Sequence, residues 1–139
     1  MKDLLKAIFT QLNTISSIKW IDEDFGQIDQ YEGKPPVTFP CALVTINQVN
    51  DSLGDDEYDV TSTITIRLAH NRLGDRSGKA SEDAVDNTLA KLNDVEAVTD
   101  AFEGFEVPEV TGRFYIKGIT SEIRSDGISV KAITFTETH

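Results

Sequence analysis

The chain has 139 residues and a net charge of -11, which comes from 24 acidic and 13 basic residues. This length suits one domain, so we expect residues 1–139 to form a single folded unit. An acidic surface repels a polyanion, which disfavours a protein that binds nucleic acid specifically. No stretch approaches the roughly 20 apolar residues of a membrane span, and the amphipathic start lacks the features of a signal peptide. We therefore expect a protein that is cytoplasmic, or that is assembled in the cytoplasm.

The chain holds few residues of the types that bind metals or form disulfides. Cys41 is its only cysteine, which excludes an intrachain disulfide. Its two histidines are His70 and His139, which together with one cysteine make a zinc site improbable. We expect no metal, no cofactor and no catalytic residues.

The first predicted element is a helix over residues 3–15. Asp3 can cap its start by accepting a backbone N–H. Its apolar residues recur at helical spacing, which predicts one face packed on a sheet. After the helix, Ile18, Trp20 and Ile28 suggest short extended pieces. The apolar residues of the helix are Leu4, Leu5, Ile8, Leu12 and Ile15.

Two long strands follow a proline-rich loop over residues 31–40. Residues 41–48 form the first strand, with successive side chains on opposite faces. Residues 58–70 alternate between apolar and polar types, which is typical of a strand with one buried and one wet face. We expect the two strands to pair as an antiparallel hairpin whose acidic tip, residues 49–57, protrudes.

A second helix is predicted over residues 81–93, with Ser81 as its N-cap. Residues 94–112 include Phe102, Phe105 and Val107 and predict no regular element. Such an apolar segment more often covers a core than binds a partner. The inner stripe of the helix is predicted to be Ala84, Val85, Thr88, Leu89 and Leu92.

The chain ends in a predicted hairpin of residues 113–123 and 128–138, because Asp126-Gly127 is a strong turn signal. In its last strand Ile128 and Val130 lie on one face, whereas Ile133 and Phe135 lie on the other. This phase change predicts a bulge or cover on both faces. The order of elements predicts an α+β fold, with a largely antiparallel (mixed) β-sheet and two α-helices packed on one face.

Residues 74–80 (GDRSGKA) bear a partial likeness to a phosphate-binding P-loop between a strand and a helix. A P-loop has four residues between its glycines, and Ser or Thr after its Lys to hold magnesium. Here three residues separate Gly74 from Gly78, and Ala80 has no hydroxyl. We interpret the segment as a polar loop.

Cys41 and His70 are the remaining candidates for a nucleophile and its base. A hairpin with its tip at residues 49–57 places Cys41 opposite about Thr65, and therefore about 16 Å along the strand from His70. A thiol–imidazole hydrogen bond needs about 3 Å. We interpret Cys41 as a small buried apolar residue and His70 as an ordinary histidine at a strand end.

The acidic runs carry no specific signal for chemistry. The tip lacks the spacing of an EF-hand calcium loop, so a solvated loop is the favoured interpretation and a weak, irregular cation site the alternative. Asp22, Glu23 and Asp24 are neighbours in a run, and such residues usually point into water. We assign them no catalytic role.

The order of these elements resembles that of phage tail-terminator proteins, also called minor tail or tail-completion proteins. The resemblance spans nearly the whole chain. The segments that carry it are the N-terminal helix DLLKAIFTQL, the entry KPPVTFPCALVTI, the strand YDVTSTITIRLA, the helix EDAVDNTLAKL and the final hairpin IKGITSEIRSDGISVKAITFTET.

The resemblance implies a structural role in the tail of a phage or prophage virion. Proteins of this kind form rings, typically hexamers, that cap the tail tube and join it to the head. The implied partners are further copies of the chain, the tail tube protein and a head–tail connector protein. DNA would pass through the lumen without specific binding, and a negative lumen would fit this because it repels DNA. No membrane is implied.

Two segments are candidates for subunit contacts, the acidic tip and the apolar stretch after the second helix. Another head–tail connector or neck protein is a close alternative to the terminator. A small ligand-binding α+β module, with a cleft between helices and sheet, is a different class. An enzyme ranks last, because no nucleophile, base and stabiliser can be brought together. The candidate interface residues are Asp51, Leu53, Asp55, Asp56, Glu57, Phe102, Phe105 and Val107.

Overall fold

The computed structural model describes residues 2–54, 57–71, 82–107 and 112–138. These residues form two helices, α1 (Lys2–Asn13) and α2 (Glu82–Phe102), together with the strands of one sheet. The strands are β1 (Trp20–Glu23), β2 (Cys41–Gly54), β3 (Glu57–His70), β4 (Phe105–Glu106), β5 (Arg113–Ser121) and β6 (Ser129–Thr138).

The sheet has the strand order β1-β2-β3-β6-β5-β4. β1 runs parallel to β2, and the other neighbouring pairs are antiparallel. Both helices contribute buried residues to one cluster on a single face of this sheet. The predicted α+β fold, with a largely antiparallel mixed sheet and two helices on one face, is confirmed. Within the described ranges, no helix is both long enough and apolar enough to cross a membrane.

The main core lies between the helices and the sheet. α1 buries Leu4, Ile8 and Leu12, at the spacing that the sequence predicted. The helix begins at Lys2, so Asp3 lies in its first turn, where a negative charge favours the positive end of the helix dipole. The sheet meets α1 and α2 with Ala42, Val44, Ile64, Ile66, Leu68, Ile133 and Phe135.

α2 continues well beyond its predicted end at residue 93. Residues 94–102, for which the sequence predicted no regular element, form its last turns. Val95, Val98 and Phe102 are buried against the sheet, and their spacing is helical. The ring of Phe102 packs edge-on against Phe105, with 5.0 Å between the ring centroids. Burial against the sheet therefore stabilises the helix through a stretch whose sequence shows no strong helical periodicity.

The prediction of the buried face of α2 is wrong for Thr88, Leu89 and Leu92. Leu89 and Leu92 are 52% and 48% exposed, and Thr88 is also exposed. The inward face instead passes through half-buried Lys91 and buried Asp94. These two residues are polar, so the apolar pattern does not reveal the face. Ser81 and the side chains of Ala84 and Val85 lie outside the described part of the chain.

The β2–β3 hairpin is confirmed, but its strands are longer than predicted and its register is different. β2 runs to Gly54 and β3 starts at Glu57, so most of the predicted acidic tip is strand. Cys41 consequently lies opposite Ala69 and not opposite Thr65. The sequence misplaced the register because a run of acidic and polar residues is typical of a loop.

A second, smaller apolar cluster lies on the face of the sheet away from the helices. The register between β3 and β6 is continuous, so the phase change in the last strand reflects cover on both faces. The bulge lies instead in β5, between Ile116 and Gly118. Gly127, in the turn of the final hairpin, has a φ of 81°, as the turn signal predicted. The second cluster consists of Ile28, Cys41, Leu43, Ala69, Ile128 and Val130.

We predict that Phe102→Ala lowers the free energy of unfolding by about 3–5 kcal/mol, because it removes a fully buried ring from between α2 and the sheet. Urea denaturation followed by circular dichroism measures the change. Phe25→Ala is the matched control, since the Phe25 side chain is 71% exposed, and its effect is expected within about 0.5 kcal/mol. Equal effects of the two substitutions would contradict the placement of Phe102 in the core.

Candidate interaction surfaces and polar clusters

The β2–β3 hairpin extends past the rest of the sheet. β1 pairs with β2 only as far as Val44, and β6 pairs with β3 only from Thr61 onward. Residues 50–54 and 57–60 therefore pair with each other and, among the described residues, with no third strand. We call these residues the hairpin arm. A two-stranded ribbon without a core is only marginally stable in water.

The hairpin arm contains the first group of predicted interface residues. The prediction that this group forms a loop is wrong for its described residues, because they belong to β2 and β3. Asp51 lies opposite Asp59, and Glu57 opens β3. Leu53 lies at an irregularity in the register of β2. The remaining two predicted residues, Asp55 and Asp56, lie outside the described ranges.

The second group of predicted interface residues belongs to the core. Phe102 is fully buried and Val107 is 3% exposed. Phe105 is half-buried, and its ring centroid lies 6.3 Å from that of Phe114. The segment from α2 to β4 therefore covers the core with these side chains, which argues against using the same side chains to bind a partner.

β5 forms an open edge of the sheet. β4 covers only Phe114 and Arg113, and from residue 115 onward the outer edge has no strand partner among the described residues. Tyr115 and Ile119 are 53% and 45% exposed. The β-bulge leaves Lys117 between the paired positions of β5 and β6. The sequence predicted this strand but gave no signal for which of its edges would be free.

A network of ion pairs surrounds Arg67 on β3. Its guanidinium donates to both carboxylate oxygens of Asp29 at 2.9 and 3.0 Å, and to both of Glu122 at 2.8 and 2.7 Å. It also lies 3.1 Å from Asp24, whose side chain is 11% exposed. The expectation that the acidic run 22–24 points into water is therefore wrong for Asp24. Hydrogen bonding to Arg67 lowers the pKa of Asp29 to about 2 and also lowers the pKa of Glu122.

Arg124 extends this network to the last hairpin. It pairs with Asp29 at 2.9 Å and with Asp126 at 2.7 Å, and it donates to the backbone carbonyl of Ile28. Its hydrogen bonds lower the pKa of Asp126 to about 2. The two arginines thus fasten residues 24–29 and 122–126 over the second apolar cluster, so we interpret the network as structural.

A buried polar cluster lies at the C-terminal end of β3, on the face of the sheet that the helices cover. His70 Nε2 lies 2.7 Å from one carboxylate oxygen of Asp94, and the Ser17 hydroxyl donates to the other at 2.6 Å. In a catalytic triad the histidine stands between serine and acid, so that it can take the hydroxyl proton. Here the carboxylate stands in the middle, which gives a structural bridge between α2, β3 and the α1–β1 loop. Sequence reasoning missed this cluster.

A cavity of about 480 Å³ adjoins this bridge. Its walls combine apolar Phe39, Pro40 and Ala90 with polar side chains. This volume is within the range of small-molecule sites. The sequence predicted, as an alternative, a ligand-binding module with a cleft between helices and sheet. This cavity lies in such a position.

The sequence predicted that Cys41 and His70 lie far apart, but that prediction used the wrong register between β2 and β3. Cys41 pairs with Ala69, the neighbour of His70. The two side chains nevertheless lie on opposite faces, because Cys41 packs in the second cluster whereas His70 meets Asp94 on the helix face. Burial raises the pKa of the Cys41 thiol to about 11. Cys41 is the buried residue that the sequence predicted.

The remaining sequence candidates concern ions. Residues 74–80, with the partial P-loop pattern, lie outside the described ranges. Among the residues that are described, no group of three or more His, Cys, Asp or Glu side chains is arranged to hold a metal ion. Most of the acidic tip also falls outside the described side chains, so the cation alternative there stays a prediction.

Comparison with solved structures finds the same fold in a chain of a gene transfer agent particle. A chain of a structure entitled "Virion of native gene transfer agent (GTA) particle" superposes with a TM-score of 0.56 at 13% sequence identity. The match covers 99% of this chain and 94% of that chain. At this identity the likeness shows the fold alone. No protein-family model and no curated protein matches the sequence.

We predict an acid-dependent loss of stability that depends on Asp29. Its folded pKa of about 2 lies below the unfolded value of about 3.9. A carboxylate of this kind stabilises the fold above the unfolded pKa, and that contribution is lost as the pH falls through the folded pKa. Asp29→Asn should therefore lose less stability than the wild type between about pH 4 and pH 2. Urea midpoints across this interval measure the difference.

The matched control for this experiment is Asp100→Asn, which changes an exposed carboxylate on α2. The control should keep the wild-type pH dependence. If Asp29→Asn showed the same acid loss as the wild type, the ion pairs of Asp29 would not contribute to stability.

We predict that Cys41 reacts slowly with an aromatic disulfide reagent in the folded chain. Its side chain is fully buried and its pKa is raised, so little thiolate is exposed at about pH 8. In denaturant the reaction should be fast. Because Cys41 is the only cysteine, absorbance of the released thiolate reports on this residue alone. Rapid reaction of the folded chain would contradict its burial.

Proposed function

We propose that this chain is a structural protein of a phage-like virion, and specifically the terminator of its tail. In this role, six copies of the chain form a ring on the end of the tail tube and join the tube to the head. The proposed location is the virion tail, after assembly in the host cytoplasm. The partners are further copies of the chain, the tail tube protein and the head–tail connector protein.

The observation that carries this proposal is the shared fold over almost the whole of both chains with a component of a virus-like particle. The order of elements that resembles tail terminators supports the same role. The described surface adds two features suited to assembly, a hairpin arm that extends beyond the sheet and an open strand edge on β5. We propose a structural and not a catalytic role, consistent with the arrangement of Ser17, Asp94 and His70.

The charge of the chain fits a ring through which DNA passes. At a net charge of -11, a lumen lined by part of this surface would repel the phosphate backbone and leave it free to slide. DNA is thus proposed as a passing molecule and not as a specific ligand.

A second candidate function is the binding of a small molecule. The observation that favours it is the cavity of about 480 Å³ beside Asp94 and His70. In this role the chain would stay monomeric or dimeric, and a ligand would raise its melting temperature. Another connector or neck role within the same particle remains the closest variant of the first proposal.

We predict that the purified chain stops the growth of tail tubes assembled from the tail tube protein of the same particle. Tubes grown with the chain should be shorter, and electron microscopy should show a ring with a central hole at one end. The physical reason is that a bound ring covers the surface to which the next tube subunits would add. Tube length is the primary measurement.

Bovine serum albumin, another acidic protein, serves as the control for non-specific charge effects on tube growth. Unchanged tube lengths, together with a chain that forms no ring at any concentration, would contradict the terminator role. A rise in melting temperature with a small molecule, in the absence of any ring, would favour the second candidate.

A further inference from the structure

The geometry points to a head-to-tail contact in which the hairpin arm of one copy lies along the open edge of β5 in the next copy. This inference rests on the proposed function, because it names the surfaces through which the ring would form. Both surfaces are strand edges, and an added strand satisfies the unpaired backbone groups of such edges. The Ile116 amide already donates to Glu103 at 3.2 Å, so the arm would pair with β5 beyond Ile116.

The charges of the two surfaces are complementary. Residues 49–60 of the sequence contain five acidic residues and no basic residue. β5 contains two basic residues, Arg113 and Lys117, and no acidic residue. Arg113 is already paired with Glu106 of β4, so Lys117 is the positive charge that this strand offers to a partner. Opposite charge favours an acidic partner at this edge, and the arm is an acidic surface that also offers the backbone groups of a strand.

The two strands of the arm pair with each other but receive little support from the rest of the sheet. Among the described residues no third strand lies beside them, and Val49 at the base of the arm is 55% exposed. Two acidic residues, Asp51 and Asp59, occupy directly opposed positions, an arrangement that destabilises a strand pair. A surface that offers a lysine and apolar residues would relieve both deficits. On β5, Lys117 and the exposed Tyr115 and Ile119 are of these types.

The contact must form between copies and not within one chain. β6 lies between β3 and β5, and the open edge of β5 faces away from β6. Neighbouring strands are about 4.8 Å apart, so the arm and the open edge of its own chain are separated by the width of about two strands. A contact between two different surfaces is heterologous, and its repetition closes a ring when the rotation between neighbouring copies is a whole fraction of a turn.

Two complementary variants test the contact. In the arm-less variant, residues 50–60 are replaced by Asn-Gly, which joins Val49 to Thr61, two residues that already pair. In the edge variant, Lys117→Glu and Ile119→Glu place two carboxylates on the exposed edge. The control variant carries Lys34→Glu and Leu89→Glu, the same charge change at exposed positions outside β5 and the arm. Circular dichroism and thermal unfolding establish that each variant folds.

We predict that each of the two variants alone loses self-association, measured by analytical ultracentrifugation over a concentration series. Their equimolar mixture should form a one-to-one dimer and nothing larger, because it contains one intact edge and one intact arm. The control variant should associate like the wild type.

The outcomes separate this inference from the proposed function. Self-association of the arm-less variant at the wild-type level would overturn the contact and leave the tail role standing. Dimer formation in the mixture, with no effect of the wild type on tube length, would support the contact and contradict the tail role. If neither the wild type nor the mixture associates at any concentration, the contact is overturned.

Discussion

The long antiparallel pairing of β2 with β3 is the interaction on which the rest of the structure depends. One face of this pair carries Val44 and Ile66 into the core beneath the helices, and the other carries Cys41 and Ala69 into the second cluster. The same pairing continues beyond both cores as the hairpin arm. A single ladder of backbone hydrogen bonds thus links the interior of the molecule to its most extended surface.

The face of the sheet away from the helices is covered by ion pairs as well as by apolar side chains. Arg67 and Arg124 are 14% and 11% exposed in their side chains, and a guanidinium this far from water is costly unless it is paired. Asp24, Asp29 and Glu122 supply the pairing for Arg67. The network therefore specifies how the loops fold back on the sheet, whereas the apolar cluster beneath supplies the burial.

Sequence patterns predicted α1 and β3, whose periodicity is uninterrupted, and the final hairpin, whose turn is marked by Asp126-Gly127. They failed where a polar residue occupies an inward position, as Asp94 does in α2, because its partners His70 and Ser17 are distant in sequence. The register of β2 was missed because acidic residues in a strand look like a loop. Among the candidate surfaces, the sequence predicted the position of the arm. It did not predict the open edge of β5, because that edge depends on the order of strands in the sheet, which local sequence patterns do not contain.

The bulge at Lys117 has a consequence for the unassembled chain. Exposed strand edges recruit one another, and long flat edges lead to fibres. A bulge bends and twists the strand in which it lies, and a lysine within it repels the identical lysine of a second copy. Two β5 edges are therefore poor partners for each other. Newly made chains can therefore avoid pairing two β5 edges with each other while keeping the edge available for a different strand, such as the acidic arm.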